Sequence, residues 1–237
     1  MDTVSLLPSL VMFRFPVGHA YLWRDPSGLT LIDAGVPGSA PDLAAAIVSL
    51  GHRTADVRRV LLTHFHGDHI GSASSIVPWG DIQVYAHQAD APFIRGSAAG
   101  PAPVLTSDWE RELHASVGAS AGAAGPPPTA RVDHEVTDGD EISLGGGVAA
   151  VCVAAPGHTP GSVSFHIPSA GVLLAGDTIA RGFGGEVMLG VFNSDPPAAV
   201  SSFKRQAALA PAIACFGHGE PLTSGTAALL RDAADAL

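Results

Sequence analysis

The feature that most constrains this chain is Thr63-His64-Phe65-His66-Gly67-Asp68-His69, a run that begins directly after the aliphatic stretch Val57 to Leu62. The stretch reads as a buried strand, and imidazoles and a carboxylate cannot follow it into an apolar core unless something satisfies them. The run must therefore be a loop at the end of a strand, with Gly67 and Gly71 marking its turns before a short helix through Ile76. Three imidazoles and one carboxylate fall within six residues, His64 to His69, a density that suits a metal. His64 and His66 alternate and can point to one side of an extended loop, while Asp68 and His69 follow the turn and can face a second position nearby, so two metal positions are feasible.

The surroundings fit that strand. Short apolar runs at Ala20 to Trp23 and Leu29 to Ile32 flank Asp25-Pro26-Ser27-Gly28, which predicts a β-hairpin. Pro41 to Leu50 predicts a helix that stops at Gly51, Ile82 to Tyr85 a strand, and Gln88 to Ile94 a helical stretch. After the middle of the chain come strand-like runs at 141–144, 148–154, 162–167 and 172–174, a helix around 198–209 and a strand at 213–216. A closing helix over 223–237 is expected to place Leu229, Leu230, Ala233 and Leu237 on one side. Alternating strands and helices predict an α/β class. Between them, 96–133 is rich in Ala, Gly and Pro around a short helix at 107–117; it reads as a loop-like insertion, either a lid or disordered.

Composition narrows the class further. In 237 residues, 46% are apolar and 14% charged, which excludes intrinsic disorder and indicates one domain over 1–237 with a sizeable core. Lys and Arg number 12 against 22 Asp and Glu, and a net charge of −10 disfavours a nucleic-acid partner. Mean hydropathy is +0.29. The uncharged runs are broken by Gly and Pro short of the about 18 residues a membrane span needs. No secretory signal is visible, so a cytoplasmic location is expected. Cys152 and Cys215 form no CxxC and read as reduced core residues.

Three further polar residues follow apolar strands: His158 in Pro156-Gly157-His158-Thr159-Pro160-Gly161, Asp177 in Ala175-Gly176-Asp177-Thr178, and His218 in Gly217-His218-Gly219. Each alone reads as a turn residue. With the cluster they make five histidines and two aspartates, enough imidazole and oxygen donors for two sites holding Zn²⁺, Mn²⁺ or Fe. His19, His52, His87, His114, His134 and His166 have no such context and read as surface or core residues. Arg181 reads as a solvated surface arginine.

These residues, with Leu31-Ile32-Asp33-Ala34-Gly35 and in this order, resemble the metallo-β-lactamase superfamily in its glyoxalase II-like branch. The resemblance implies a four-layer αββα sandwich with a dinuclear site at the sheet edge. It implies one metal on His64, His66 and His158, the other on Asp68, His69 and His218, and Asp177 as the bridge. It also implies that Asp33 anchors the ligand loop through hydrogen bonds. The expected activity is metal-dependent hydrolysis of an ester, lactone or thioester carbonyl in a small molecule, with two divalent ions, zinc foremost, acidifying water and polarising the carbonyl. Asp68 is the expected proton shuttle, and Ser162 and Cys152 are expected to be structural.

Departures from the family pattern refine this expectation. The superfamily's true β-lactamases lack the bridging aspartate, so antibiotic hydrolysis is disfavoured. Glyoxalase II proper carries a helical domain with basic residues after its last ligand; here 19 residues follow His218, which disfavours glutathione thioesters. Two rivals stand: a mononuclear iron enzyme like the persulfide dioxygenases of the superfamily, holding iron through two histidines and Asp177, and a noncatalytic metal-binding scaffold.

Overall fold

The structure, a computed structural model, describes residues 1–122, 128–182 and 184–237. A seven-stranded sheet runs in chain order: β1 (Asp2–Leu7), β2 (Leu10–Arg14), β3 (Ala20–Asp25), β4 (Gly28–Ile32), β5 (Val57–Leu61), β6 (Gln83–His87) and β7 (His134–Val136). The first four pair antiparallel and β4 to β7 parallel. Parallel pairing needs a crossover, and α1 (Ala40–Ser49) supplies it between β4 and β5. Beyond β5 lie three single-turn helices, α2 (Gly67–Ile70), α3 (Ala73–Ile76) and, after β6, α4 (Ala91–Ile94). α5 (Asp108–Gly122) precedes β7.

The second sheet has the order β14-β11-β10-β9-β8, built from β8 (Glu141–Gly145), β9 (Val148–Ala154), β10 (Val163–Ile167), β11 (Val172–Leu174) and β14 (Ile213–Cys215). A small hairpin of β12 (Ile179–Arg181) and β13 (Val187–Leu189) stands apart from it. Helices α6 (Pro196–Ala207) and α7 (Thr226–Asp235) complete the chain's elements.

Side-chain alternation explains the layering. On β2, Leu10 and Met12 face one way and Val11 and Phe13 the other; on β3, Tyr21 and Trp23 oppose Ala20 and Leu22. The first set meets Cys152, Phe165, Leu174 and Cys215 of the second sheet, forming the core between sheets. The opposite set packs with Leu43 and Ile47 of α1 and Ile76 of α3. Leu173 and Ala214, on the outer face of the second sheet, meet Phe203 of α6 and Leu230 and Ala234 of α7. Three apolar interfaces separate four layers, helix, sheet, sheet, helix, which is the αββα sandwich. Burial of both faces in strands such as β4, β11 and β14 explains the near-continuous apolar runs in the sequence.

Several expectations change. Strands β1, β2, β7, β12 and β13 have no counterpart in the sequence reading. The segment 96–133 is less loop-like than its composition suggests: α5 runs for 15 residues, and Ala130 and Val132 join the core. The part of its Ala/Gly/Pro run at 123–127 lies outside the described residues. On α7 the buried face is Thr226, Leu230 and Ala234, an i, i+4 stripe, while Leu229 and Leu237 are exposed.

Candidate metal centre

The loops that leave β4, β5, β11 and β14, together with the turn between β9 and β10, gather at one end of the sandwich. They bring together all seven residues expected as ligands. His64, His66 and His158 form one group and Asp68, His69, Asp177 and His218 another, the donor atoms in each lying within 4.8 Å of one another.

In the first group His158 Nε2 lies 2.9 Å from His66 Nδ1 and 3.3 Å from His64 Nε2. In the second, His218 Nε2 is 3.2 Å from Asp68 Oδ2 and 3.1 Å from Asp177 Oδ2. Asp177 Oδ1 is 3.3 Å from His69 Nε2. Asp177 also faces the first group, its Oδ2 lying 3.9 Å from His64 Nε2 and 3.7 Å from His158 Nε2. Nitrogen donors around one tetrahedral zinc, at about 2.0–2.1 Å from the ion, stand about 3.3 Å apart. The His158–His64 separation has this value, and the His158–His66 separation is shorter.

The ring orientations are set from behind. Asp33, 2% exposed at the end of β4, accepts from the Thr63 N–H at 2.8 Å, the Thr63 hydroxyl at 2.8 Å and His69 Nδ1 at 2.8 Å. Thr63 spends its proton on Asp33, so its oxygen takes the proton of His64 Nδ1 at 3.0 Å. This network assigns Nε2 of both rings as the atom turned toward the cluster. Asp33 thus has the hydrogen-bonding role expected of it.

The electrostatics call for positive charge. Burial pushes the His64 and His158 imidazoles down and takes His66 to about 3, so these three present bare lone pairs. Burial also opposes charge on His69 and on both carboxylates, yet Asp177 and Asp68 hold His69 well above its usual range, while His218 and His69 hold Asp177 down and His69 does the same for Asp68. Asp177 raises His218 to about 10. His69 Nε2 and Asp177 Oδ1 are buried with no hydrogen-bond partner. Two carboxylates and five converging nitrogens, with buried donors left over, form a site that divalent cations would complete.

Close approach fixes one glycine. A Cβ on Gly217 would lie 1.8 Å from Asp177 Oδ1 and 2.6 Å from His69 Cε1, so only glycine fits before His218. His64, His69 and His158 are buried, whereas the side chains of Asp68 and His218 are 24% and 38% exposed. The second group therefore opens to solvent.

Comparison with known proteins agrees with this geometry. The profile of the Metallo-beta-lactamase superfamily matches residues 14–218. The chain belongs to that superfamily. It is 29% identical over 212 residues to a hydroxyacylglutathione hydrolase of Rhodobacter capsulatus, covering 89% of this chain and 66% of that protein. A probable metallo-hydrolase of Bacillus subtilis (strain 168) is 28% identical, covering 84% and 78% of the two chains. The chain thus spans about two thirds of the length of the hydroxyacylglutathione hydrolase it matches. In structure it is similar to a subclass B3 metallo-beta-lactamase of Bradyrhizobium japonicum, with a TM-score of 0.73, 21% identity and coverage of 100% and 90%. The αββα fold is that of the family, and the relatives' names support a hydrolase. Among the described residues, no helix is long and apolar enough to cross a membrane.

Other residues stand around the site in supporting positions. His19 is buried beside the site: its N–H donates to Gly217 O at 2.8 Å, and burial, with the His218 charge adding, takes its ring to about 4. Arg181 also borders the site, its N–H donating to His218 O at 3.1 Å. His114 packs edge-on against Phe192 at 5.1 Å. Ser162 is structural, its hydroxyl accepting from the Thr159 N–H at 3.0 Å. Burial raises the Cys152 thiol to about 12 and Cys215 higher still, leaving both unreactive. Sequence reasoning missed Tyr21, Asp90 and Glu110. Tyr21 donates to Phe216 O at 2.7 Å and accepts from Phe216 N at 3.2 Å, pinning the strand end before His218. Glu110 of α5 accepts from Thr106 N at 2.7 Å and Phe192 N at 2.8 Å, tying the 96–133 segment to the loop after β13. No local motif announces such long-range partners.

Proposed function

We propose that this protein is a dinuclear metal-dependent hydrolase of small molecules, a single domain over 1–237 that attacks ester, lactone or thioester carbonyls. One observation carries the reading: Asp177 stands between two complete donor groups, one oxygen toward His69 and the other toward His218, His64 and His158. His64, His66 and His158 would hold one ion, Asp68, His69 and His218 the other, and Asp177 both. The all nitrogen-and-oxygen donor set suits Zn²⁺, with Mn²⁺ or Fe as alternatives. When bound, such ions acidify water from 15.7 to about 7 and polarise a carbonyl.

The chain's own residues supply the rest. Asp33 orients His64 and His69 through hydrogen bonds that do not involve substrate. Asp68 is kept ionised by its two imidazole neighbours and is partly exposed, so its carboxylate can accept a proton at the solvent side and pass it to a leaving group. The exposed edge at Asp68 and His218 is where substrate enters. The relatives' hydrolase names support the reaction class, and the second donor group supports two ions over the one of the persulfide dioxygenase reading.

Metal analysis with a substrate panel tests the proposal. Close to two ions per chain, hydrolysis of aryl esters, lactones or thioesters, and reversible loss with a chelator are expected. Asp177→Ala should abolish turnover and lower metal content while the fold persists. One iron with O₂ consumption on a persulfide would replace the hydrolase by the dioxygenase, and no metal after careful purification would leave a scaffold.

A further inference from the structure

Asp90 sits between β6 and α4, at the position where an aspartate ordinarily caps the helix that follows it. Its side chain makes no bond to that helix. It is fully buried, with 0% exposure, and turns both oxygens toward two other loops. Oδ1 accepts from the Gly161 N–H at 2.7 Å; Oδ2 accepts from the Phe65 N–H at 3.0 Å and the Thr159 hydroxyl at 2.7 Å. Phe65 lies between His64 and His66, and Thr159 follows His158.

We propose that Asp90 is a positioning residue for the three-histidine group, tying the loop of His64 and His66 to the loop of His158 through one buried carboxylate. The inference rests on the metal-centre reading above and extends it to how one of the two positions is held.

The surroundings make Asp90 a rigid anchor. Its N–H donates to His87 O at 3.0 Å, its own carbonyl accepts from Phe93 and Ile94 at 3.0 Å each, and Ala91 and Ile94 are locked into the core. The contact with the third loop is tight: a Cβ on Gly161 would lie 2.4 Å from Asp90 N and 2.7 Å from Oδ1. Ser162 supports the arrangement, its hydroxyl 2.8 Å from Thr159 Oγ1. All three groups facing Asp90 are donors, so an ionised carboxylate satisfies each of them, whereas an amide in its place must turn an NH₂ toward an N–H or the hydroxyl. The second donor group does not depend on this link, because His69 is held by Asp33 and the His218 turn by Tyr21. Losing Asp90 should therefore loosen one position and spare the other.

The test is a Co²⁺ titration of chelator-treated protein, read by visible absorption, with Zn²⁺ competition giving a dissociation constant for each step. His66→Ala identifies the step that belongs to the three-histidine group. In Asp90→Asn that step should weaken about 10- to 100-fold, the usual consequence of removing a partner behind the ligands, while the other changes less than about threefold. Thr159→Val, which removes the hydroxyl's bonds to Asp90 and Ser162 at nearly constant volume, should weaken the same step about fivefold and decides the matter if Asp90→Asn does not fold. A folded variant with both constants unchanged, or with both weakened equally, overturns the role of Asp90. Wild-type protein that binds fewer than two ions overturns the dinuclear reading and this inference with it.

Discussion

Replacing Tyr21 by Phe removes one oxygen and tests how the sheet-to-sheet core supports the His218 turn. The Tyr21 hydroxyl is the partner of both the N–H and the carbonyl of Phe216, and burial raises its pKa well above the usual range, so it stays protonated as a donor. Phe216 is fully buried. In the variant both backbone groups lose their partner where water does not readily reach, at about 1–3 kcal/mol for each buried group left unsatisfied. With some relaxation the expected loss is about 2–4 kcal/mol, and at about 2–4 °C per kcal/mol for a domain of this size Tm should fall by about 5–15 °C. Differential scanning calorimetry of the metal-free protein measures it without contribution from ligand binding. A Tm within about 2 °C of wild type would mean that the Phe216 groups find other partners and that Tyr21 does not hold the turn.

Gly217→Ala should lower metal affinity at least tenfold, since its Cβ would displace Asp177 Oδ1 from 1.8 Å; isothermal titration with Zn²⁺ checks this. The His19 pKa, lowered from 6.5 to about 4 chiefly by burial, means that the folded state binds fewer protons than the unfolded one over that interval. Its contribution is present above pH 6.5 and lost as pH falls toward 4, at about 3 kcal/mol in full. His19→Gln should therefore lose stability less steeply than wild type over that window in urea titrations, and parallel pH profiles would count against it. Zn²⁺ at about one hundred times its dissociation constant should stabilise the fold by about 2.7 kcal/mol for each site, raising Tm by at least 5 °C, and a chelator should reverse the rise.

Much of the molecule was legible in the sequence because its information is local. The hairpin of β3 and β4, α1, β5, the four strands of 141–174 and α6 follow from periodicity and from Gly and Pro punctuation. The ligands were legible because metal binding needs particular side chains, and His64 to His69 concentrate them in a few residues at a strand end. Strands β1, β2 and β7 and the hairpin of β12 and β13 were not, since short strands without strong turn signals are defined by the neighbour they pair with. Which atoms are available to hold metal, and the layered α/β character of the chain, are set by the order of residues alone. Packing of the two sheets is what sets Asp33 behind His64 and His69, lets Tyr21 hold Phe216 across 195 positions, and lets Asp90 join Phe65 to Thr159 across separations of 25 and 69. A buried aspartate or tyrosine can accept or donate in many ways, and which groups it satisfies depends on the backbone that the packed sheets bring within 3 Å of it.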